Sequence, residues 1–177
     1  MSETASIQQL LDDHKYSETR FAELEGLLQE FKLDHSWTAE RVRTFEAFAQ
    51  YFRGELIVHM RKEDEILYPA LEEFLPRDVG PLMVLRTEHD DIVSNFSRME
   101  KAHQLMLQGN LRPEVVQKFL FFGATLLQIL RDHAYKEERI LFPMVARFLK
   151  PDLDARIAGD METLARCIRE NVEAGRA

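Results

Sequence analysis

Residues 59–69 read HMRKEDEILYP and residues 133–143 read HAYKEERILFP, identical at six of eleven positions, with an acid matching an acid (Asp64, Glu138) and an aromatic an aromatic (Tyr68, Phe142). Each stretch carries a histidine four residues before a glutamate: His59 with Glu63, and His133 with Glu137. On an α-helix residues i and i+4 stand one above the other, so each pair can bring an imidazole nitrogen and a carboxylate oxygen to one point in space. One such pair alone is more often a solvated surface pair than a site. The duplication reverses that reading, and it continues upstream. His14 precedes His59 by 45 residues and His89 precedes His133 by 44, in the similar contexts LLDDHKYSETRF and LRTEHDDIVSNF. Two helix pairs, each a histidine followed by H-x-x-x-E, stand in tandem.

The rest of the chain supports helices around these motifs. Glycine and proline number only 7 and 6 among 177 residues and cluster between long segments of 3.6-residue apolar periodicity. Five helices are expected. The first covers about Thr4 to Phe31, with Ile7, Leu10, Leu11, Phe21, Leu24, Leu27 and Leu28 as its stripe. The second starts near Ser36 or Thr38 as N-cap, carries Val42, Phe45, Phe48, Phe52, Leu56 and His59 on roughly one face, and is interrupted at Pro69, with a short continuation ALEEFL after it. The third is expected over Pro81 to Leu107, the fourth over Pro113 to Phe142, and the last over Asp154 to Ala174. Short connections between long amphipathic helices imply an all-α fold, an up-down-up-down antiparallel four-helix bundle with an additional C-terminal helix outside it or across one end. Residues 1–150 are expected to form the bundle and 151–177 a helical extension of the same domain.

Composition narrows the function classes. With 45% hydrophobic residues the chain can bury a core without staples, and its single cysteine, Cys167, excludes an internal disulfide and any cysteine cage. The first eighteen residues have neither a basic nor an apolar signal region, which leads to the expectation of a reducing cytoplasm. A net charge of −8 without a Lys/Arg block argues against nucleic acid. The longest apolar run, FLFFGATLLQIL, is too short to span a bilayer and reads as a helix buried on most sides.

In a four-helix bundle the two halves pack about a pseudo-twofold axis, so His14, His59, Glu63, His89, His133 and Glu137 can all project into one cavity. Two carboxylates buried there without cations would be very unfavourable, whereas two divalent metal ions supply the missing charge. Imidazole suits iron, zinc, copper or nickel, and bridging carboxylates with open positions suit iron or manganese. The residues favour a dinuclear site, with iron the best match.

At these residues the chain resembles the hemerythrin family, specifically the hemerythrin-like HHE cation-binding domains, over about Leu10 to Leu149. The resemblance implies a non-haem diiron centre, two iron ions bridged by Glu63 and Glu137, with His14 and His59 on one iron and His89 and His133 on the other. Oxygen-carrying hemerythrins have a fifth histidine one turn from the third-helix ligand. Here the candidate positions are Leu85 and Val93, which cannot coordinate. The resemblance therefore implies a vacant position on each iron where O2, peroxide or nitric oxide can bind, and it speaks against reversible oxygen carriage.

Other residues stand near these six in the sequence. Glu18, one turn after His14, is either an added ligand or solvent-facing. Asp13, Glu88 and Asp132 each precede a ligand histidine and either accept an Nδ1–H bond from a neighbouring helix or belong to ordinary surface. Tyr16, Tyr68 and Tyr135 either line a path to the site or pack amphipathically. His35 and His103 lie outside the repeat, and Glu100-x-x-His103 lacks the second copy that a ferritin-like site needs. The expected function is a diiron protein that binds or reacts with a small diatomic gas or peroxide in oxidative or nitrosative stress response or sensing. Peroxide- or NO-consuming activity is one form of it, and no membrane or protein partner is indicated. The alternative is an iron carrier or donor for iron homeostasis or iron–sulfur repair.

Overall fold

The computed structural model describes residues 4–77 and 79–173, and among these the regular structure is helical throughout. Helix α1 spans Ala5–Asp34, α2 residues 39–71, α3 Pro81–Leu107, α4 residues 113–145 and α5 Pro151–Glu173. None is long and apolar enough to cross a membrane.

Local chemistry sets the helix ends. α1 runs three residues past the expected Phe31 because His35 takes a left-handed conformation (φ 52°) and donates its N–H to the Phe31 carbonyl. Arg41 then staples the connection, reaching Asp34 and the Ser36 carbonyl, while the Thr38 hydroxyl caps α2 by accepting the Arg41 N–H. Gly109 turns the chain between α3 and α4 at φ 81°, a conformation glycine adopts without steric cost. Pro81, Pro113 and Pro151 each stand in a first turn, where the missing N–H has no intrahelical partner to lose.

The prolines after the motifs do not stop their helices. α2 continues through Pro69 to Leu71 and α4 through Pro143 to Val145. In both, the proline follows a widened π-helical turn, Glu63–Leu67 and Glu137–Leu141. Such a turn lengthens the hydrogen-bond ring by one residue, which makes room for a ring without an N–H. A further π-helical turn occupies Phe52–Leu56.

Contacts along the helices pair in opposite sequence order. In α1 and α2, His14 meets His59 and Ser17 meets Tyr51. In α3 and α4, His89 meets His133, and the space beside Gly123 is filled by Met99. α2 meets α3 through Asp64 and His89, Phe52 and Phe96, and Phe45 and His103. α1 and α4 meet through His14 and Glu138 and through Glu25 and Arg131.

The apolar residues form two clusters. The larger contains Phe31, Phe45, Phe48, Phe52, Phe96 and Phe119; the smaller contains Leu10, Leu67, Tyr68, Leu85, Leu141 and Phe142. Full burial of each Phe stabilises the fold by about 1.5–3 kcal/mol. The expectation that FLFFGATLLQIL is buried on most sides is corrected: Phe119, Leu126, Leu127 and Leu130 face the core, but Phe121 is 64% exposed, because α4 presents only one face to its neighbours.

α5 packs on α1 and α2 and completes the N-terminus of α1. Thr4 makes no side-chain cap there. Instead Asp154 accepts the N–H groups of Ala5 (2.7 Å) and Ser6 (3.1 Å) and the Ser6 hydroxyl. A carboxylate thus meets the positive end of α1 and two of its open donors. The expected end of α5 at Ala174 lies outside the described residues.

Candidate metal centre

Between the apolar clusters the four long helices turn polar groups inward. All six motif residues, His14 from α1, His59 and Glu63 from α2, His89 from α3, and His133 and Glu137 from α4, are buried and meet there. The imidazoles face each other in pairs, with Nε2 to Nε2 distances of 3.2 Å for His14 and His59 and 3.1 Å for His89 and His133. Glu63 lies between the pairs: its Oε1 is 3.4 Å from His59 Nε2 and its Oε2 is 3.3 Å from His89 Nε2. Glu137 Oε2 is 3.2 Å from His14 Nε2 and 3.4 Å from His133 Nε2.

These donors fit a divalent cation pair. Glu63 and Glu137 are 0% exposed, and both oxygens of Glu63 and Oε2 of Glu137 lack a hydrogen-bond partner. A buried carboxylate in that condition is costly unless a cation meets it. His14, His59, Glu63 and Glu137 can offer four donor atoms within 4.8 Å of one another, and Glu63, His89 and His133 three. Nitrogen and oxygen donors in this mixture suit iron, manganese or zinc.

A ring of acids orients the imidazoles. Asp13 of α1 lies 3.3 Å from His59 Nδ1 on α2, and Asp64 of α2 lies 2.9 Å from His89 Nδ1 on α3. Glu88 of α3 lies 3.1 Å from His133 Nδ1 on α4, and Glu138 of α4 closes the circle 3.0 Å from His14 Nδ1 on α1. A carboxylate only accepts, so it holds a ring proton at Nδ1 and makes Nε2, facing the centre, the nitrogen that gives up its proton when a metal binds. Two lysines hold the ring from outside: Lys62 donates to Asp13 at 2.7 Å, and Lys136 pairs with Glu88.

The electrostatics record the excess of carboxylates. Burial opposes charging His14, but Glu137, Glu63 and Glu138 outweigh it and raise its pKa to about 9. Burial likewise opposes charging His89, and Asp64 and Glu63 raise it to about 9. At His133, Glu137, Glu63 and Glu88 overcome burial and raise it to about 10. Glu63 shifts well below the usual carboxylate range, because the surrounding histidines outweigh its own burial. Tyr68 donates its hydroxyl to Glu137 Oε1 at 2.7 Å, and burial with the neighbouring Glu137 and Glu63 pushes its pKa up, keeping it a donor.

Asp13 and Glu88 bond across to neighbouring helices, as one of the two sequence readings has it; Asp132 instead accepts from Gln128 on the surface of α4. The sequence reading missed Asp64 and Glu138, although the repeat marked them as an acid matching an acid. It also missed Lys62 and Lys136, identical in both copies. Glu18, Tyr16 and Tyr135 are exposed. His103 is buried among Phe45 and Trp37, where burial lowers its pKa.

The profile of the hemerythrin HHE cation-binding domain matches residues 5–145, which takes in the whole of this centre. The chain belongs to that family. Among curated relatives, this HHE protein is 27% identical over 127 residues to the iron-sulfur cluster repair protein YtfE of Enterobacter sp. (strain 638), covering 67% of this chain and 56% of that one. It is 29% identical over 99 residues to the protein of the same name from Musicola paradisiaca (strain Ech703), covering 52% of this chain and 42% of that one. The HHE chain thus spans about half the length of the curated relatives it matches. No solved structure matches it significantly. Of the two candidate positions for a fifth histidine, Leu85 is buried in the cluster that holds Tyr68 and Phe142, and Val93 is 45% exposed.

Proposed function

We propose that this HHE protein holds two iron ions, bridged by Glu63 and Glu137, and uses them to bind or react with O2, peroxide or nitric oxide in a cytoplasmic stress response. The opposed pairing of α1 to α4 supports an up-down-up-down bundle over residues 1–150. The Asp154 cap on α1 supports 151–177 as an extension of the same domain. The observation that carries the reading is the pair of fully buried carboxylates, with three oxygens unpartnered, among four imidazoles.

Bound iron would supply the redox chemistry and the open coordination positions. The chain supplies the rest. The acid ring fixes each imidazole in one tautomer, and Tyr68 holds a proton at Glu137 Oε1. A cavity of about 80 Å³ reaches the centre beside His14, His59 and His133; its walls are largely apolar, including Phe21, Met60 and Ile92. One water needs roughly 10–15 Å³ by this kind of measure, so the cavity admits a molecule of a few atoms. Apolar walls favour an uncharged one. Leu85 offers no nitrogen donor, so a bound iron pair would keep room for such a ligand and would favour reduction of O2 over its reversible carriage.

The test is iron analysis, then anaerobic reduction and rapid mixing with oxygenated buffer under an optical probe. Fast oxidation to a diferric form that then binds or consumes peroxide is expected, and Ala134→Trp in the cavity wall should slow it. A long-lived oxygenated spectrum that reverts when the gas is withdrawn would restore the carrier. A second reading, iron donation for repair, is favoured by the names of the curated relatives. It calls for rapid loss of iron to a mild chelator, whereas a redox centre keeps its iron through turnover.

A further inference from the structure

The two copies of the motif end differently, in Tyr68 and in Phe142. Each ring stacks on a motif histidine, Tyr68 on His89 with centroids 5.9 Å apart and Phe142 on His14 at 5.8 Å. Only Tyr68 carries a hydroxyl, and it is spent on Glu137 Oε1. Glu63, the corresponding carboxylate of the other half, has both oxygens free, one toward each histidine pair. Glu137 presents a single free oxygen, Oε2.

We infer that Tyr68 is a positioning residue that makes the two metal positions unequal, so that the His14–His59 position fills first and the His89–His133 position fills second and exchanges faster. The inference rests on the dinuclear reading above. The first position has four donors converging as the side chains stand, His14, His59, Glu63 and Glu137. The second has three, His89, His133 and Glu63, and the phenol stacked on His89 occupies the remaining Glu137 oxygen. Filling it with that oxygen as ligand sets the metal and the phenol in competition for one oxygen and weakens a buried hydrogen bond to a carboxylate. Bonds of this kind shift an equilibrium by about tenfold to a hundredfold.

The asymmetry is written in one atom, so two reciprocal variants can move it. Tyr68→Phe keeps the ring and frees Glu137 Oε1. Phe142→Tyr adds a hydroxyl to the ring that faces the other half. Neither change empties the core, and thermal melts of the metal-free forms check that both fold.

The experiment titrates the metal-free 177-residue protein with Zn²⁺, following the imidazole resonances by NMR and the two affinities by calorimetry. In the unaltered protein the His14 and His59 signals should shift with the first equivalent and those of His89 and His133 with the second. The affinities should differ by at least about tenfold beyond the statistical ratio. Tyr68→Phe should bring the affinities together and make all four imidazoles respond at once. The double variant Tyr68→Phe/Phe142→Tyr should weaken the His14–His59 position instead. Two equal affinities in the unaltered protein, or a gap untouched by Tyr68→Phe, would overturn the role of Tyr68 and leave the dinuclear reading standing. Saturation at one equivalent would overturn both.

Discussion

The two halves of the molecule, residues 5–71 and 81–145, make the same inward face from different surroundings. Each supplies two histidines, a glutamate at the head of a π-helical turn, two acids of the ring, a lysine behind one of them, and a proline after the turn. They differ away from the donors. α5 covers the first half, so Lys62 is buried while Lys136 is partly open. The aromatic after the turn has a hydroxyl in one half only. Whatever touches the centre is thus repeated, and the inequality between the halves enters through groups that touch the donors from behind.

The largest effect should separate the two carboxylates. Glu63→Ala is expected to lose more metal on desalting than Glu137→Ala, because both carboxylates face both histidine pairs but Glu63 offers two free oxygens and Glu137 one. Equal losses would show that the halves are interchangeable. Next comes a contrast between the centre and the distal aromatic cluster. Phe119→Ala should cost about 3–5 kcal/mol of stability in denaturant melts without changing metal content, while exposed Phe121→Ala should stay within about 0.5 kcal/mol. A smaller effect belongs to the ring: Asp64→Asn and Glu138→Gln should each weaken Zn²⁺ affinity about tenfold to a hundredfold, with Asp132→Asn neutral in the same titration.

A further effect, spread over the whole centre, is set by pH. His14 and His89 at about 9 and His133 at about 10 stand above the unfolded value of about 6.5. Their contribution to the metal-free fold is therefore complete below about pH 6.5 and is lost as pH rises through 9 to 10. Glu63, shifted downward, contributes above about 4.5 and loses that contribution on acidification. Melts of the metal-free protein should show a plateau between about pH 5 and 6.5 and a decline from there toward 10. Metal loading has the opposite sign, since ions need neutral imidazoles and compete with protons. Loading near pH 7 should release protons from three imidazoles, readable as buffer-dependent calorimetric heat.

Much of this was legible in the sequence because it repeats there. The spacing of His14, His59, His89 and His133 named the residues that meet, and apolar periodicity located the helices. What escaped has physical causes. Pro69 and Pro143 read as stops because a regular α-helix cannot hold them, and only the π-helical turns before them remove the conflict. The same turns begin at Glu63 and Glu137 and rotate the next residue away from its regular helical bearing. Asp64 and Glu138 could not be aimed by counting, and adjacency to a histidine could not tell Asp132, on the surface, from Asp13 and Glu88 in the ring. The Asp154 cap on α1 joins residues nearly 150 positions apart, and no local signal announces it.

The central claim is that the two halves hold two metal ions between them, and crystallography of iron-loaded protein at the iron absorption edge tests it most directly. The account predicts two anomalous peaks about 3.5–4 Å apart, one against His14 and His59, the other against His89 and His133, with Glu63 between them. A single peak, or peaks outside the ring formed by Asp13, Asp64, Glu88 and Glu138, would contradict it.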